Sequence, residues 1–315
     1  MSNIFEALQK ESEQVPQEVL SSLFDGQARP DSDRSPVIPL QPVSDIPVPP
    51  VHPVVPPPRL VPPQNLTAAG TEPELQWARM RSIPITVNGA VPLLPFDDPN
   101  SGAAEQYRII RTRIVQHPRQ PGMLLISSAG PGDGKSLTAI NLAGALSLKS
   151  EARVLLMDTD FRRSTIHSQL SLPLSPGLSE VLSGTAALEE AIVRVEQLPN
   201  LYVIPAGEPR PNPSELLDST RWLTICRRLR EMFRYVIADS PPVASVADYE
   251  LLQAASDGII LVARPDHTNR LGFSKALELV PEAKLIGVVM NCVPEWFLGR
   301  NYYYAPYYYG NGRKS

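Results

Sequence analysis

Met123-Leu124-Leu125-Ile126-Ser127-Ser128-Ala129-Gly130-Pro131-Gly132-Asp133-Gly134-Lys135-Ser136 is an apolar run that enters a glycine-rich loop ending in Gly-Lys-Ser. The next residues, Leu137-Thr138-Ala139-Ile140-Asn141-Leu142-Ala143, carry a helical pattern. Strand, loop and helix in this order make a P-loop. Gly132 and Gly134 can take backbone angles closed to other residues, so consecutive N–H groups turn inward and cradle phosphate oxygens. Lys135 reaches the β- and γ-phosphates, the Ser136 hydroxyl can ligate magnesium, and the helix N-terminus adds positive potential at the same place. Residues Gly130, Pro131, Gly132, Asp133, Gly134, Lys135, Ser136 and Leu137 are therefore the expected nucleotide contacts, with a nucleotide and Mg2+ as the expected ligands.

Around this stretch, short apolar runs alternate with helical patterns. Arg153 to Met157, Leu201 to Ile204, Tyr235 to Ala238, Gly258 to Ala263 and Leu285 to Met290 read as buried strands. Helical stretches fall at about 138–149, 178–195, 214–232, 248–255 and 270–280. Such alternation predicts an α/β P-loop NTPase fold: a mostly parallel, doubly wound sheet with helices on both faces. In that architecture ligands bind at the carboxyl ends of the strands. Two Asp-bearing turns, Asp158-Thr159-Asp160-Phe161-Arg162-Arg163 and Asp239-Ser240-Pro241-Pro242, fall at that end together with the P-loop.

Composition limits the rest. With 43% hydrophobic residues, 20% charged residues and a net charge of −4, the chain lacks the basic excess of a nucleic-acid binder. Its two cysteines, Cys226 and Cys292, are far apart and have no partner at metal-ligand spacing, so neither a disulfide framework nor a zinc site is indicated. No run reaches the ~18 apolar residues of a membrane span, and the first ten residues lack a basic then apolar leader, so a cytoplasmic location is expected. Residues 1–29 read as a short amphipathic helical segment, either a docking peptide or a partly helical tail. Residues 30–99 hold about half of the 35 prolines and read as an extended, disordered linker. The folded domain is expected over 100–298, with a tyrosine-rich tail over 299–315.

Phosphoryl transfer needs charge neutralisation, a metal, and a group that positions or deprotonates the nucleophile. Lys135 and the loop amides serve the phosphates; Ser136, Asp160 and Asp239 are expected to hold magnesium directly or through water; Asp158 is left to act on the attacking hydroxyl. An Asp after a strand can also cap the following helix, and that role competes at each position. Glu105, Arg108 and Arg111 share one face of a predicted helix over 101–115, a pattern that by spacing alone fits a solvated surface.

Residues 100–315 resemble the bacterial tyrosine kinases, cytoplasmic autokinases of capsule and exopolysaccharide export systems. The resemblance rests on Ala129 to Ser136 as Walker A, Val154 to Arg163 as the additional A′ motif, and Val236 to Pro242 as Walker B. Pro205 to Leu217 is similar to a loop of the family, and Glu105-x-x-Arg108-x-x-Arg111 to its oligomerisation motif. Six of the ten tyrosines, Tyr302, Tyr303, Tyr304, Tyr307, Tyr308 and Tyr309, lie in one cluster that resembles the phosphoacceptor tail of these kinases. The resemblance implies an ATP-dependent protein-tyrosine autokinase with Lys135, Asp158, Asp160 and Asp239 in the catalytic site, modifying the tail of a neighbour in a ring-like homo-oligomer. It also implies a separate membrane activator that recruits the chain to the inner face of the membrane, and a cognate tyrosine phosphatase. By likeness to the fold, Asn291 is a candidate adenine contact, with a plain strand-end turn as its alternative. Departures from the family are the long proline linker, the absence of fused membrane spans, and Asp133 where members often carry Glu.

Two other readings compete. A septum- or plasmid-positioning ATPase shares the fold but carries an extra lysine near the start of the P-loop, where this chain has Gly130. An ATP-binding scaffold of a polysaccharide assembly complex would not need the intact Lys135, Asp158, Asp160 and Asp239 or the acceptor tyrosines.

Overall fold

The computed structural model describes residues 3–5, 77, 80–86, 100–149, 152–243 and 247–293. The tyrosine tail and most of the first hundred residues lie outside these. Nine strands form one sheet: β1 (Asn3–Phe5), β2 (Arg81–Ile83), β3 (Met123–Ser128), β4 (Val154–Asp158), β5 (Val193–Val195), β6 (Leu201–Ile204), β7 (Tyr235–Asp239), β8 (Gly258–Ala263) and β9 (Leu285–Met290), in the order β1-β9-β8-β3-β7-β4-β6-β5-β2. From β9 to β6 all neighbours are parallel, while β1 and β5 join antiparallel and β2 runs parallel to β5. The P-loop strand β3 sits between β8 and β7, in the middle of the parallel set.

Nine helices pack around the sheet: α1 (Gly102–Gln116), α2 (Lys135–Ser147), α3 (Ile166–Gln169), α4 (Leu178–Ser183), α5 (Leu188–Ala191), α6 (Pro213–Leu217), α7 (Thr220–Met232), α8 (Asp248–Ala255) and α9 (Arg270–Leu279) among the described residues. Successive strand residues alternate between two cores, as the pleat requires. Met123, Leu125, Leu155 and Met157 pack with Leu178, Trp222, Leu229, Tyr249 and Phe273 on one face. Leu124, Ile126, Val154 and Leu156 pack with Tyr107, Ile110, Ile140 and Leu142 on the other. Helix α2 is buried almost all round, between the sheet and α1. Its interior is Ala- and Gly-rich, which lets the helix that carries the phosphate loop press close to β3.

Three short strands depart from the sequence reading. Asn3–Phe5 pairs with Val288–Met290 as an edge strand, where the apolar pattern suggested helix. Arg81–Ile83 closes the opposite edge, and Met80 and Ile85 are buried in the cores, so the fold begins well before Asn100. Trp77 also belongs to it, its ring 5.3 Å from Tyr202 and 5.6 Å from Phe233, with the Arg153 guanidinium 4.2 Å above it. Proline density masked this segment, although Pro84 directly after an edge strand interrupts no ladder. The stretch 178–195 is two short helices followed by β5, because Gly184 ends α4 with φ +83° and a single continuous helix cannot pass a left-handed residue.

Candidate active site

Backbone geometry in the P-loop matches the need for glycine. Gly132 and Gly134 have φ of +87° and +92°. A Cβ on Gly134 would lie 1.8 Å from Asn291 Nδ2, and one on Gly132 would lie 2.8 Å from His267 Nε2. Both positions are thus closed to side chains by conformation and by space. Gly130 is different, since a Cβ there would meet nothing within 4 Å. Packing therefore leaves room for a side chain at this position.

The loop is held from outside by residues far along the chain. Asp133, 1% exposed, accepts from the Gly130 N–H at 3.2 Å through Oδ2 and from the Thr268 hydroxyl at 2.6 Å through Oδ1. His267 Nε2 lies 3.1 Å from the Pro131 carbonyl. Asn291, directly after β9, donates from Nδ2 to the Asp133 carbonyl at 3.2 Å and accepts from the Cys292 N–H at 2.9 Å. Asp133, an expected nucleotide contact, and Asn291, a candidate adenine contact or strand-end turn, both brace the loop. Thr268 and His267 were missed, since the β8–α9 turn carries no motif of its own.

Strand ends β4 and β7 deliver the carboxylates. Lys135 Nζ is 3.1 Å from Asp160 Oδ2, and both side chains are largely buried. Asp158, fully buried, accepts from the Asp160 N–H through Oδ1 and from the Thr165 and Ile166 N–H groups through Oδ2, each at 3.2 Å. These bonds fold the A′ turn and satisfy the start of α3. Burial, reinforced by the Asp239 charge, pushes the Asp158 carboxyl well above the usual range despite those donors. Burial also raises Asp239, opposed by the Lys135 charge and the neighbouring Ser136 hydroxyl. Both Asp239 oxygens are buried without a hydrogen-bond partner among the described residues. A carboxylate left so is rare in a native interior and calls for a cation.

Pro131, Lys135, Asp160, Arg162, Arg163, Pro241 and Pro242 line a cleft of ≈ 220 Å³ over these groups. Among the described residues no three acidic or histidine side chains converge into a complete metal cage. The orphaned Asp239, with Ser136 beside it, fits instead the partial ligand set that magnesium uses when phosphate oxygens and water complete its shell.

The arrangement is a nucleotide cleft on a doubly wound sheet, and comparison with known proteins decides its class. A family model described as an AAA domain matches residues 123–286. The chain is 36% identical over 203 residues to the tyrosine-protein kinase YwqD of Bacillus subtilis, covering 63% of this chain and 85% of that protein. It is 32% identical over 225 residues to the putative tyrosine-protein kinase CapB of Staphylococcus aureus, covering 70% of this chain and 95% of that protein. The chain belongs to the bacterial tyrosine-kinase family. Among solved structures it superposes on the chimerical protein CapA2B2 with a TM-score of 0.62 at 31% identity, covering 71% of this chain and all 100% of that one. On the kinase domain of the Escherichia coli tyrosine kinase ETK the TM-score is 0.59 at 28% identity, covering 67% and 88%.

In this family member the Glu105, Arg108 and Arg111 stripe has internal partners. Arg108 Nε pairs with Glu105 at 2.6 Å within α1, and Arg111 Nη1 donates to the Ala145 carbonyl of α2 at 3.3 Å. Of the Pro205–Leu217 loop, Gly207 takes φ +86° and the buried Glu180 receives the Gly177 and Glu208 N–H groups at 2.8 and 3.1 Å, which lowers its pKa against the burial that would raise it. Tyr302, Tyr303, Tyr304, Tyr307, Tyr308 and Tyr309 lie outside the described residues. No helix among the described residues is long and apolar enough to cross a membrane.

Proposed function

We propose that this tyrosine kinase uses ATP and Mg2+ to phosphorylate the tyrosines of its own C-terminal tail, taking the tail of a neighbouring protomer as substrate, and so regulates capsule or exopolysaccharide synthesis. The observation that carries the reading is the cleft in which Lys135 and Asp160 meet beside the unpartnered carboxylate of Asp239. Support also comes from where the tail departs. It follows β9 and Asn291, which lies against the P-loop, and Tyr302 comes nine positions after Val293, a reach of at most about 30 Å.

In the transfer, the phenolic oxygen bonds the γ-phosphorus as the bond to the β,γ-bridging oxygen breaks, and ADP leaves with that electron pair. Loop amides from Gly132 to Lys135 hold the β- and γ-phosphates, and Lys135 balances the charge that develops on them. Ser136 and Asp239, with Asp160, would hold magnesium, which supplies further charge neutralisation between the phosphates. Asp158, buried beneath the cleft, is the proposed acceptor of the phenolic proton, and its backbone bonds keep the A′ turn in place.

The deciding experiment is incubation of the purified chain with Mg2+ and ATP, with and without a membrane activator, followed by mass-spectrometric mapping of phosphotyrosine. Modification within Tyr302–Tyr309 is expected, and a tail left unmodified under both conditions rejects the autokinase. Mixing a chain with all six tail tyrosines changed to Phe with a Lys135→Met chain should place phosphate on the latter if transfer is between protomers. Asp158→Asn should lower turnover about 10²-fold while changing nucleotide affinity little. Equal loss of both would leave Asp158 as the anchor of the A′ turn alone.

Glu105, Arg108 and Arg111 are proposed as part of a ring interface, in which the Glu105–Arg108 pair exchanges partners with a neighbouring chain. Arg108→Ala should shift the oligomer to monomer by light scattering with the helical circular dichroism unchanged; a persistent oligomer returns this face to solvent. The membrane activator and the tyrosine phosphatase are proposed as the partners that recruit and reset the kinase.

A further inference from the structure

The A′ turn carries two adjacent arginines at the cleft, and the structure gives them different surroundings. Arg162 Nε donates to Asp248 Oδ2 at 2.9 Å, and the same carboxylate, 2% exposed, accepts the Ser214 hydroxyl at 2.5 Å. This arginine therefore ties the turn to α6 and α8, and its charge is matched. Arg163 is anchored through its main chain, its N–H lying 3.1 Å from Asp160 Oδ1. Arg163 is exposed and lines the cleft, and among the described residues no ion pair engages its guanidinium.

Charge in the cleft is accordingly uneven. Lys135 is matched by Asp160 and Arg162 by Asp248, which among the described residues leaves Arg163 as the cation in excess. The nucleotide phosphates already have the loop amides and Lys135, which come from β3 and α2, whereas Arg163 arrives from the end of β4. A phosphoryl group moved onto a tyrosine brings about −1.5 to −2 charges and three acceptor oxygens. A guanidinium meets such a group with a two-pronged hydrogen bond that an ammonium cannot reproduce.

We propose that Arg163 is the phosphotyrosine contact of this kinase: it holds the phosphoryl group on the tyrosine side of the cleft, while Arg162 is a positioning residue that acts through Asp248. The proposal rests on the tyrosine-kinase reading of the site. It assigns Arg163 to an aryl phosphate ester as ligand, separate from the nucleotide.

The test uses dephosphorylated full-length protein and a fluorescent peptide of residues 299–315 phosphorylated on Tyr307, with its unphosphorylated twin as reference. Arg163→Ala should weaken binding of the phosphopeptide about tenfold, as loss of a charged hydrogen bond does, and leave the unphosphorylated peptide and ADP within about twofold. Arg163→Lys should recover only part of the loss, and Arg227→Ala, a control on the exposed face of α7, should show none of it. Equal weakening of ADP would make Arg163 a nucleotide ligand and overturn the proposal; unchanged phosphopeptide affinity, or none in the wild type, would overturn it too. Failure of the kinase reading shows separately, as a wild-type chain that makes no tail phosphotyrosine.

Discussion

Replacing Lys135 with methionine is expected to reduce tail phosphorylation by at least about 10²–10³-fold, the scale on which losing one preorganised charge at a developing anion is felt. Methionine roughly keeps the length of the side chain and removes its charge. The effect has two parts that can be separated. Asp160, 3% exposed, loses the ammonium 3.1 Å away, and a buried carboxylate stripped of its partner destabilises the fold by about 3–5 kcal/mol. A Lys135→Met/Asp160→Asn double variant should regain much of that stability, read as the midpoint of thermal unfolding, and regain no phosphotransfer in a radiolabelled ATP assay. Recovery of activity with stability would mean that Lys135 serves only to hold the A′ turn, and the catalytic role given to it would fall.

Asp239→Asn should make the ligand-free protein more stable than wild type, increasingly so as pH rises, and abolish stabilisation by Mg2+ with ATP. The sign follows from burial, which raises the Asp239 carboxyl. An acid whose pKa is raised on folding binds more protons folded than unfolded, so its contribution turns unfavourable as pH rises above the unfolded value near 3.8, and grows until the folded pKa is passed. Asn removes that penalty, and it also relieves Asp158, which the Asp239 charge helps to raise. Raising a carboxyl pKa by one costs about 1.4 kcal/mol, or roughly 3–6 °C for a domain of this size. The unfolding midpoints of variant and wild type should diverge by several degrees between about pH 4 and pH 8. Parallel curves would show that Asp239 is compensated in some other way, and magnesium still stabilising the variant would remove Asp239 from its ligands.

Much of the site was legible because its chemistry is local. The φ values at Gly132 and Gly134, Lys135 and Ser136 at the head of α2, and Asp158, Asp160 and Asp239 at strand ends all follow from residues within one loop or one strand. Strands β3, β4, β6, β7, β8 and β9 were readable for a related reason: buried on both faces, they are apolar throughout most of their length. The edge strands β1 and β2, and β5 beside β2, span three residues each, too few for a period, and exist through their pairing partners. Arg162 and Arg163 are neighbours of one residue type, and no local pattern distinguishes the one that pairs with Asp248 from the one left to the cleft.

From its sequence alone this chain is a doubly wound P-loop protein with a nucleotide site and a tyrosine cluster, because glycine conformation, side-chain chemistry and strand periodicity are properties of short stretches. Tertiary structure decided what surrounds the loop. The clamp of Asp133 by Thr268, 135 positions away, and the brace from Asn291, 158 positions away, arise only when β8 and β9 are laid beside β3 in the sheet. The Asp239 carboxylate without a hydrogen-bond partner and Arg163 without an ion pair are likewise set by which groups lie within reach among the described residues, and distance between side chains is set by packing.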